Sequence, residues 1–338
     1  MLKKISIITG FLIVAFLASG YFYQKWSSDK GLQAYPRPGQ IYEINSHLMH
    51  LHCLGKGQPT IILEAGIHQA SFGWDLVHEK ISQVTRVCTY DRPGLGYSEP
   101  VSHLILVDEV VSNLNQLLRA AGIDGPTVIV GMSGGGVYVR RYRELYPDKI
   151  VGMVLIDSSH EQQEQRLPPY TSYDPENLIY KICRVLAPFG IVRVSGLIDG
   201  MLDDYHLSGE LLQKFSASYK QTHSCGVLLR ENLAFDTDLQ NQDTPAGLGS
   251  LPLVVVSRDM HRITKDTYGM APDQYRHNEE VWQLLQKELA VLSSNSKHII
   301  AKRSGHVIQF DRPDVVIEAI LDIVKYIRAN MPENMASG

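Results

Sequence analysis

The amino-acid sequence predicts an α/β fold: a mostly parallel sheet of eight strands, flanked by helices and carrying an inserted helical cap. From residue 40 onward, short β-rich segments alternate with helical patterns, as in parallel sheets covered by helices. Roughly 90 residues without strand alternation interrupt this order, and because structureless loops of that length are rare, we predict a cap there. The predicted strands are residues 41–45, 49–53, 60–64, 84–90, 127–130, 151–156, 253–256 and 297–301.

Composition excludes several classes of protein. The 338 residues are 44% hydrophobic and 20% charged, which allows a large core and excludes collagen, coiled-coil and low-complexity proteins. The formal net charge of −4, without a long basic run outside the first residues, predicts no nucleic-acid partner. Four scattered cysteines without a Cys-x-x-Cys pair argue against a zinc ribbon. The sequence carries no signal for the oligomeric state.

The N-terminal segment predicts contact with a membrane. An uncharged apolar stretch of 19 residues, 5–23, follows Lys3 and Lys4. At about 1.5 Å per residue, a helix of this length crosses roughly 30 Å of hydrocarbon. One interpretation is a signal peptide cleaved after Gly20, which would release a secreted protein. We favour an uncleaved anchor with the remaining chain on the extracytoplasmic side, because the apolar run continues to aromatic residues such as Trp26.

These patterns also divide the chain into segments. The division is a membrane segment (1–26), a polar tether (27–39), a first core part (40–158), the helical cap (159–248), a second core part (249–330) and a tail (331–338). Helical apolar spacing predicts sheet-packing helices over residues 107–121, stopped by Gly122, and from Pro313 onward. Cys183 and Cys225 lie in the cap, where either a disulfide or two free thiols fit the sequence.

A Gly-x-Ser-x-Gly motif, residues 131–135, is the strongest chemical signal. It ends a β-branched strand and precedes a helical stretch, and the tight turn between them leaves no room for side chains at Gly131 and Gly135. Ser133 is thereby exposed as a candidate nucleophile. The N–H of Gly134, at a helix N-terminus, is a candidate donor to an oxyanion.

A serine nucleophile needs a base, and His306 is the candidate because it stands between the last strand and the last helix. Three other histidines, His47, His50 and His52, share a predicted strand region. They lack grouped acid or cysteine ligands, so we interpret them as a solvated strand face and not as a metal site.

The acid that orients the base has two main candidates. Asp157 follows the strand 151–156 and Asp259 follows the strand 253–256, and both satisfy the chain order serine, acid, histidine. We favour Asp157, with Asp259 as second choice and Asp266 as a further alternative. A helix cap is the structural alternative for Asp157.

Two turns at strand ends complete the candidate site. The second oxyanion donor is predicted to be the N–H of Ile67, where Gly66 permits close backbone approach. In the tight turn 91–98 we interpret Asp91 and Arg92 as structural.

Together the motifs resemble the α/β-hydrolase superfamily over about residues 40 to 328. The motifs that carry the resemblance are Leu63-Glu64-Ala65-Gly66, the turn Tyr90 to Ser98 that begins Tyr90-Asp91-Arg92-Pro93, the elbow Gly131 to Gly135, and Ser304-Gly305-His306. The resemblance implies a helical lid and a Ser-His-acid triad in an esterase-like or peptidase-like site. Many members have a Gly-x-x-Asp turn after the seventh strand. Here the glycine is missing and Asp259 comes two positions early, which favours Asp157.

The leading hypothesis is a membrane-tethered serine hydrolase that cleaves an ester or related acyl group of a small molecule through an acyl-enzyme. No nucleotide, flavin or metal motif is found, so we expect no cofactor and no metal. An aminopeptidase or amidase is the close alternative, with Glu210 or Glu231 binding a substrate amine. A non-catalytic binding protein would require an occluded or disassembled triad.

Overall fold

Eight strands form one sheet in the described part of the chain. The structure is a computed structural model that describes residues 2–167, 175–203, 205, 207–241, 245–260 and 271–330. The strands are β1 (Gln40–Ile44), β2 (His47–Leu54), β3 (Thr60–Glu64), β4 (Val87–Tyr90), β5 (Thr127–Met132), β6 (Ile150–Ile156), β7 (Leu253–Arg258) and β8 (Ser296–Ala301). Their order is β1-β2-β4-β3-β5-β6-β7-β8. The pairs β1–β2 and β2–β4 are antiparallel and the other pairs are parallel, which confirms the predicted sheet.

Helices connect these strands and include both predicted sheet-packing helices. The helices are α1 (Leu2–Ala34), α2 (Asp75–Ser82), α3 (Val107–Ala120), α4 (Gly135–Leu145), α5 (Gln163–Arg166), α6 (Pro175–Leu186), α7 (Ile191–Val194), α8 (Leu197–Asp203), α9 (Gly209–Tyr219), α10 (Ser224–Asn241), α11 (Pro272–Ala290), α12 (Ile308–Asp311) and α13 (Pro313–Asn330). As predicted, a left-handed Gly122 with φ 66° follows α3, and Pro313 begins α13.

The core lies on both faces of the sheet. Successive side chains of a strand point to opposite faces, so Ile129 of β5 joins one cluster with Leu117 of α3, whereas Val128 joins a second cluster with Ile320 of α13. All four residues are fully buried. Because β3 and β5 to β8 run parallel, their carboxyl ends lie along one edge of the sheet. Each predicted site residue follows one of these strands and therefore lies at this edge.

Strand β4 begins later than predicted. The predicted strand 84–90 starts three residues before the observed Val87, because the N–H groups of Val84 and Thr85 still bond the carbonyl of Ile81 at the end of α2. The other strand boundaries differ from the prediction by two residues or fewer.

Helix α1 runs without a break through the apolar segment and beyond it. The predicted polar tether 27–39 is therefore wrong over its first part, since α1 ends only at Ala34, before Pro36. Gln24 and Ser28 are buried, and the Arg193 guanidinium donates to both at 2.9 and 3.2 Å. These contacts hold the polar half of α1 against the cap helices.

The apolar half of α1 has the properties of a membrane segment. Among the described residues, one helix is long and apolar enough to cross a membrane, over Lys3–Gly31 of α1. Its large apolar side chains are exposed, for example Phe11 at 72% and Phe16 at 67%. This helix is a candidate anchor or signal segment.

The chain divides into two units. One consists of Met1–Pro38 and Tyr173–Arg230, and the other of Gly39–Ser172 and Glu231–Gly338. The helices α5 to α10 lie between β6 and β7 along the chain, where the cap 159–248 was predicted. However, α5 and the second half of α10 belong to the unit that contains the sheet, so the compact helical unit is smaller than the predicted cap.

All four cysteines are paired. Cys183 and Cys225 form a disulfide that links α6 to α10, which is one of the two predicted alternatives. Cys53 and Cys88 form a second disulfide, which the sequence analysis did not predict. These two residues are direct partners in the β2–β4 register, and sequence spacing does not reveal that neighbourhood.

The histidines of β2 do not form a solvated strand face. His47 and His50 are 7% and 0% exposed, and His50 Nδ1 lies 2.7 Å from Asp91 Oδ2. His52 packs edge-on against His78 with ring centroids 4.9 Å apart. The expectation was wrong because other elements cover these side chains: the turn after β4 covers His50, and α2, which carries His78, covers His52.

The packing of α3 on the sheet allows a stability test. Leu117 is fully buried, so we expect Leu117→Ala to lower the free energy of unfolding by about 2–5 kcal/mol. Leu145, at the end of α4, is 42% exposed, and Leu145→Ala should cost about 1 kcal/mol or less. Urea denaturation followed by circular dichroism measures both, and equal losses would contradict this packing.

Candidate active site

The turn between β5 and α4 places Ser133 above the end of the sheet. Ser133 has φ 51°, in the left-handed region that side chains rarely adopt. The flanking glycines make this turn possible: a Cβ on Gly131 would lie 2.6 Å from the carbonyl oxygen of Gly135, and one on Gly135 would lie 2.6 Å from that of Ala65. The crowding predicted for the motif is therefore present, and Ser133 is half-buried.

His306 lies in the loop between β8 and α12, and its Nε2 is 2.9 Å from Ser133 Oγ. The loop is tied at both sides of the histidine. The Ser304 hydroxyl donates to the carbonyl of Ala301 at 2.6 Å, and the Gly305 N–H donates to the Asp311 carboxylate at 2.6 Å. These bonds direct the imidazole over the end of β5.

Asp157 meets the other side of the imidazole. It follows β6 with φ 38°, is fully buried, and its Oδ2 lies 2.6 Å from His306 Nδ1. Asp259, the second choice, points elsewhere: its carboxylate accepts a hydrogen bond from the Arg303 N–H at 2.9 Å. Asp266 lies outside the described residues. The structure thus brings together Ser133, His306 and Asp157.

Three further donors surround the Asp157 carboxylate. Oδ1 accepts the Arg258 N–H at 3.0 Å and the Trp282 indole N–H at 2.9 Å. Oδ2 accepts the Arg258 guanidinium at 2.8 Å in addition to His306. The guanidinium is in turn held by both oxygens of Glu279, at 3.0 and 2.6 Å.

This environment keeps Asp157 ionised. Burial raises the pKa of Asp157, but the charge of Arg258 and the hydrogen bond from His306 lower it more, so that the net pKa lies well below the ordinary value. Burial lowers the pKa of Arg258, and the charge of Asp157 together with the Glu279 hydrogen bonds more than reverses this. A buried carboxylate with these donors stays negatively charged at neutral pH.

Trp282 contacts three members of this network. Its ring packs edge-on against His306 with centroids 5.9 Å apart, and the Arg258 guanidinium lies 4.6 Å over its face. Sequence reasoning missed Arg258, Glu279 and Trp282. Arg258 stands next to the second-choice Asp259, but Glu279 and Trp282 lie within α11 in a segment without a recognisable motif.

The two predicted oxyanion donors are neighbours. A Cβ on Gly134 would lie 2.5 Å from the Ile67 side chain, and one on Gly66 would lie 3.3 Å from Ser133 Cβ. Within the part of the chain that the structure describes, neither the Ile67 N–H nor the Gly134 N–H donates to a protein acceptor. Both donors are available beside Ser133.

Arg92 supports the turn that carries Ile67. Its guanidinium donates to the carbonyls of Ala65 and Gly66 at 2.8 and 2.7 Å, and it pairs with the carboxylates of Glu64 and Glu231. Burial raises the pKa of Glu64, and the charge of Arg92 opposes this without cancelling it. The predicted structural role of Arg92 therefore includes the geometry of the candidate oxyanion site, which sequence reasoning did not foresee.

Asp91 organises the following turn. Its carboxylate accepts the N–H groups of Ser71 and Tyr97 at 2.6 and 3.0 Å and bonds His50. These contacts agree with the structural role expected for Asp91.

The two acids considered for a substrate amine are already engaged. Glu231 accepts the His68 N–H at 2.6 Å and pairs with Arg92, whereas Glu210 pairs with Lys214 at 3.0 Å. In the described ranges, no group of three His, Cys, Asp or Glu side chains is arranged to hold a metal ion.

Comparison with known proteins gives consistent matches. The family model described as "Alpha/beta hydrolase family" matches residues 50–319. An AB hydrolase superfamily protein of Gibberella zeae is 23% identical over 80% of this chain and 88% of its own length. A pimeloyl-(acyl-carrier protein) methyl ester esterase of Shewanella woodyi is 32% identical over 59% of this chain and 77% of the esterase. The crystal structure of a probable hydrolytic enzyme from Pseudomonas aeruginosa has a TM-score of 0.66 at 16% identity, over 86% of this chain and 95% of that one.

The two aspartates can be distinguished by matched variants. If Asp157 orients His306, we expect Asp157→Asn to lower kcat for an ester substrate by about 10³ to 10⁴-fold. Asp259→Asn should stay within about threefold of the wild type, because Asp259 bonds the Arg303 N–H, and threefold is below 1 kcal/mol. Steady-state hydrolysis of a p-nitrophenyl ester measures both, and the reverse order would transfer the role to Asp259.

The indole hydrogen bond to Asp157 allows a finer test. Trp282→Phe keeps an aromatic ring beside His306 but removes the N–H donor, so we expect kcat to fall about 10-fold with KM unchanged, as for a lost bond to a charged group. Trp74→Phe is the matched control, since Trp74 is also buried and its indole nitrogen has no partner among the described residues. Equal kcat values for the two variants would show that the Trp282 bond does not position Asp157.

Proposed function

Because the chain belongs to the alpha/beta hydrolase family, we propose that it is a serine hydrolase that cleaves a carboxylic ester or a related acyl substrate. The observation that carries this proposal is the hydrogen-bonded series from Ser133 Oγ through the His306 ring to Asp157, at 2.9 and 2.6 Å. A serine hydroxyl is a weak nucleophile, and this series supplies the base and the acid that orients it.

In the proposed acylation, His306 Nε2 takes the proton of Ser133 as Oγ bonds the carbonyl carbon of the substrate. The carbonyl electron pair moves to oxygen, where the N–H groups of Ile67 and Gly134 stabilise the negative charge. The bond to the leaving alcohol then breaks, and His306 returns its proton to the alcohol oxygen. The product of this step is an acyl-enzyme on Ser133.

Deacylation repeats the sequence with water. His306 takes a proton from the water as its oxygen bonds the acyl carbon, and the carboxylic acid leaves when Ser133 regains its hydrogen. Asp157 fixes the tautomer of His306 and stabilises the imidazolium in both steps, and its low pKa keeps it ionised. The reaction needs no metal and no cofactor.

Ester substrates are favoured over aminoacyl amides. An aminopeptidase needs a free carboxylate for the substrate amine, and both acids considered for that role, Glu210 and Glu231, are engaged in ion pairs. The esterase named among the relatives supports the same choice. The proposed partner is a small-molecule acyl substrate.

The protein is proposed to stay attached to the membrane through residues 5–23, with the rest of the chain on the extracytoplasmic side. Cleavage after Gly20 would remove one side of the contact between Gly20 and Phe189 in the helical unit. Paired cysteines, which include Cys183 and Cys225, fit an oxidising compartment. A secreted form after cleavage is the alternative.

A fluorophosphonate probe tests the hydrolase without knowledge of the natural substrate. We expect the wild-type chain to be labelled and Ser133→Ala to lose all labelling, with an unchanged circular dichroism spectrum, because the probe reacts with an activated serine hydroxyl. Ser112→Ala, at a half-buried serine of α3, should be labelled like the wild type. Labelling that persists in Ser133→Ala, or a folded wild type without labelling, would contradict the proposal.

A further inference from the structure

Helix α6 has an apolar face on the side opposite to its buried side. Asn177, Tyr180 and Cys183 point inward and are 6%, 5% and 2% exposed. With 3.6 residues per turn, the opposite side is formed by four large apolar residues. They are Leu178 at 39%, Ile179 at 40%, Ile182 at 51% and Val185 at 65% exposure. The outer side of a surface helix is normally polar, so this apolar face indicates a surface that binds a partner.

The residues shortly after α6, Phe189 and Gly190, contact α1 at Gly20 and Tyr23. A Cβ on Gly20 would clash with the carbonyl oxygen of Phe189, and a Cβ on Gly190 would lie 3.1 Å from the Tyr23 ring. Gly20 and Tyr23 lie at the end of the uncharged apolar segment. If that segment fills the hydrocarbon, this level is the boundary between hydrocarbon and headgroups.

Contacts farther along α1 are polar. The Arg193 guanidinium donates to the Gln24 side chain at 2.9 Å and to the carbonyl of Lys220 at 2.7 Å. This part-buried polar cluster begins at Gln24, one residue beyond Tyr23, and agrees with a boundary at Tyr23. Val194, next to Arg193, is 70% exposed and adds apolar surface near this level.

We propose that the exposed face of α6 lies on the lipid surface of the membrane that α1 enters, as a second membrane contact of the helical unit. The inference rests on the proposed anchoring of α1 and not on the hydrolase activity. Ile182 and Val185 enter the interface, and the exposed Lys181, one turn before Val185 on the same side of the helix, reaches anionic headgroups. A second copy of the chain would also cover an apolar face, but the contact of the following residues with α1 at Gly20 and Tyr23 and the flanking Lys181 favour lipid.

Photocrosslinking in a bilayer tests this contact. The full chain is reconstituted in vesicles of phosphatidylcholine and phosphatidylglycerol, with Ile182→benzoylphenylalanine or Val185→benzoylphenylalanine, and irradiated. We expect lipid adducts at both positions, detected by mass spectrometry of the peptides.

Two positions in the same unit serve as controls. Phe16→benzoylphenylalanine, in the apolar part of α1, should form lipid adducts. Gln213 is exposed on α9 and accepts a hydrogen bond from the Tyr35 hydroxyl at 2.5 Å. Tyr35 directly follows the end of α1, twelve residues beyond Tyr23. At 1.5 Å per residue that is about 18 Å above the boundary, so Gln213→benzoylphenylalanine should form no lipid adduct.

The outcomes separate the proposals. Adducts at Phe16 but at neither Ile182 nor Val185 would overturn the α6 contact and keep the anchor, whereas no adduct at Phe16 would overturn both. Lipid adducts at Gln213 equal to those at Ile182 would also contradict the contact. Crosslinks between two copies from Ile182 would overturn it in favour of a second copy. Circular dichroism checks the fold of each variant, and fluorophosphonate labelling of the same samples reports separately on the hydrolase.

Discussion

A buried carboxylate at the end of β6 sets the arrangement of the candidate site. An ionised group without solvent is very costly unless its oxygens are paired, and Asp157 is paired by donors from three different parts of the chain. Arg258 comes from β7, Trp282 from α11 and His306 from the loop after β8. The same bonds that satisfy the charge therefore bring the imidazole to Ser133.

The turn after β3 depends on a second buried charge. Arg92 holds the carbonyls of Ala65 and Gly66 while two carboxylates compensate its charge, so that the Ile67 N–H is presented beside the elbow. Hydrogen bonds from a charged group such as Arg92 are stronger than neutral ones, so they hold the turn in one orientation. A fixed orientation suits the Ile67 N–H, which must point at a developing oxyanion. Ion pairs at the carboxyl ends of the strands thus position both the proposed base with its acid and the proposed oxyanion donor.

The helical unit joins the polar half of α1 to the helices that follow α5. The contacts between α1 and the other helices of this unit change along α1. At Gly20 they are a close backbone approach, and at Gln24 they are hydrogen bonds. The same order, apolar and then polar, is expected where an anchor leaves the hydrocarbon. An apolar face on α6 at this level would fix the orientation of the unit on the bilayer. A single helix without such a face leaves rotation about its axis free.

Local patterns of periodicity and turn chemistry in the sequence predict the eight strands, the elbow at Ser133, the histidine after the last strand and the apolar N-terminal segment. The sequence favours Asp157 over Asp259 without separating them, and packing in the folded chain places Asp157 beside His306. Asp157 and Asp259 both follow parallel strands, and what separates them is the burial of Asp157 among donors that lie 101 to 149 residues away in the chain. The same physical reason explains why the sequence did not predict three further features. They are the Cys53–Cys88 pair, the burial of His50 and the role of Arg92, and each depends on contacts between segments that become neighbours only when the chain folds.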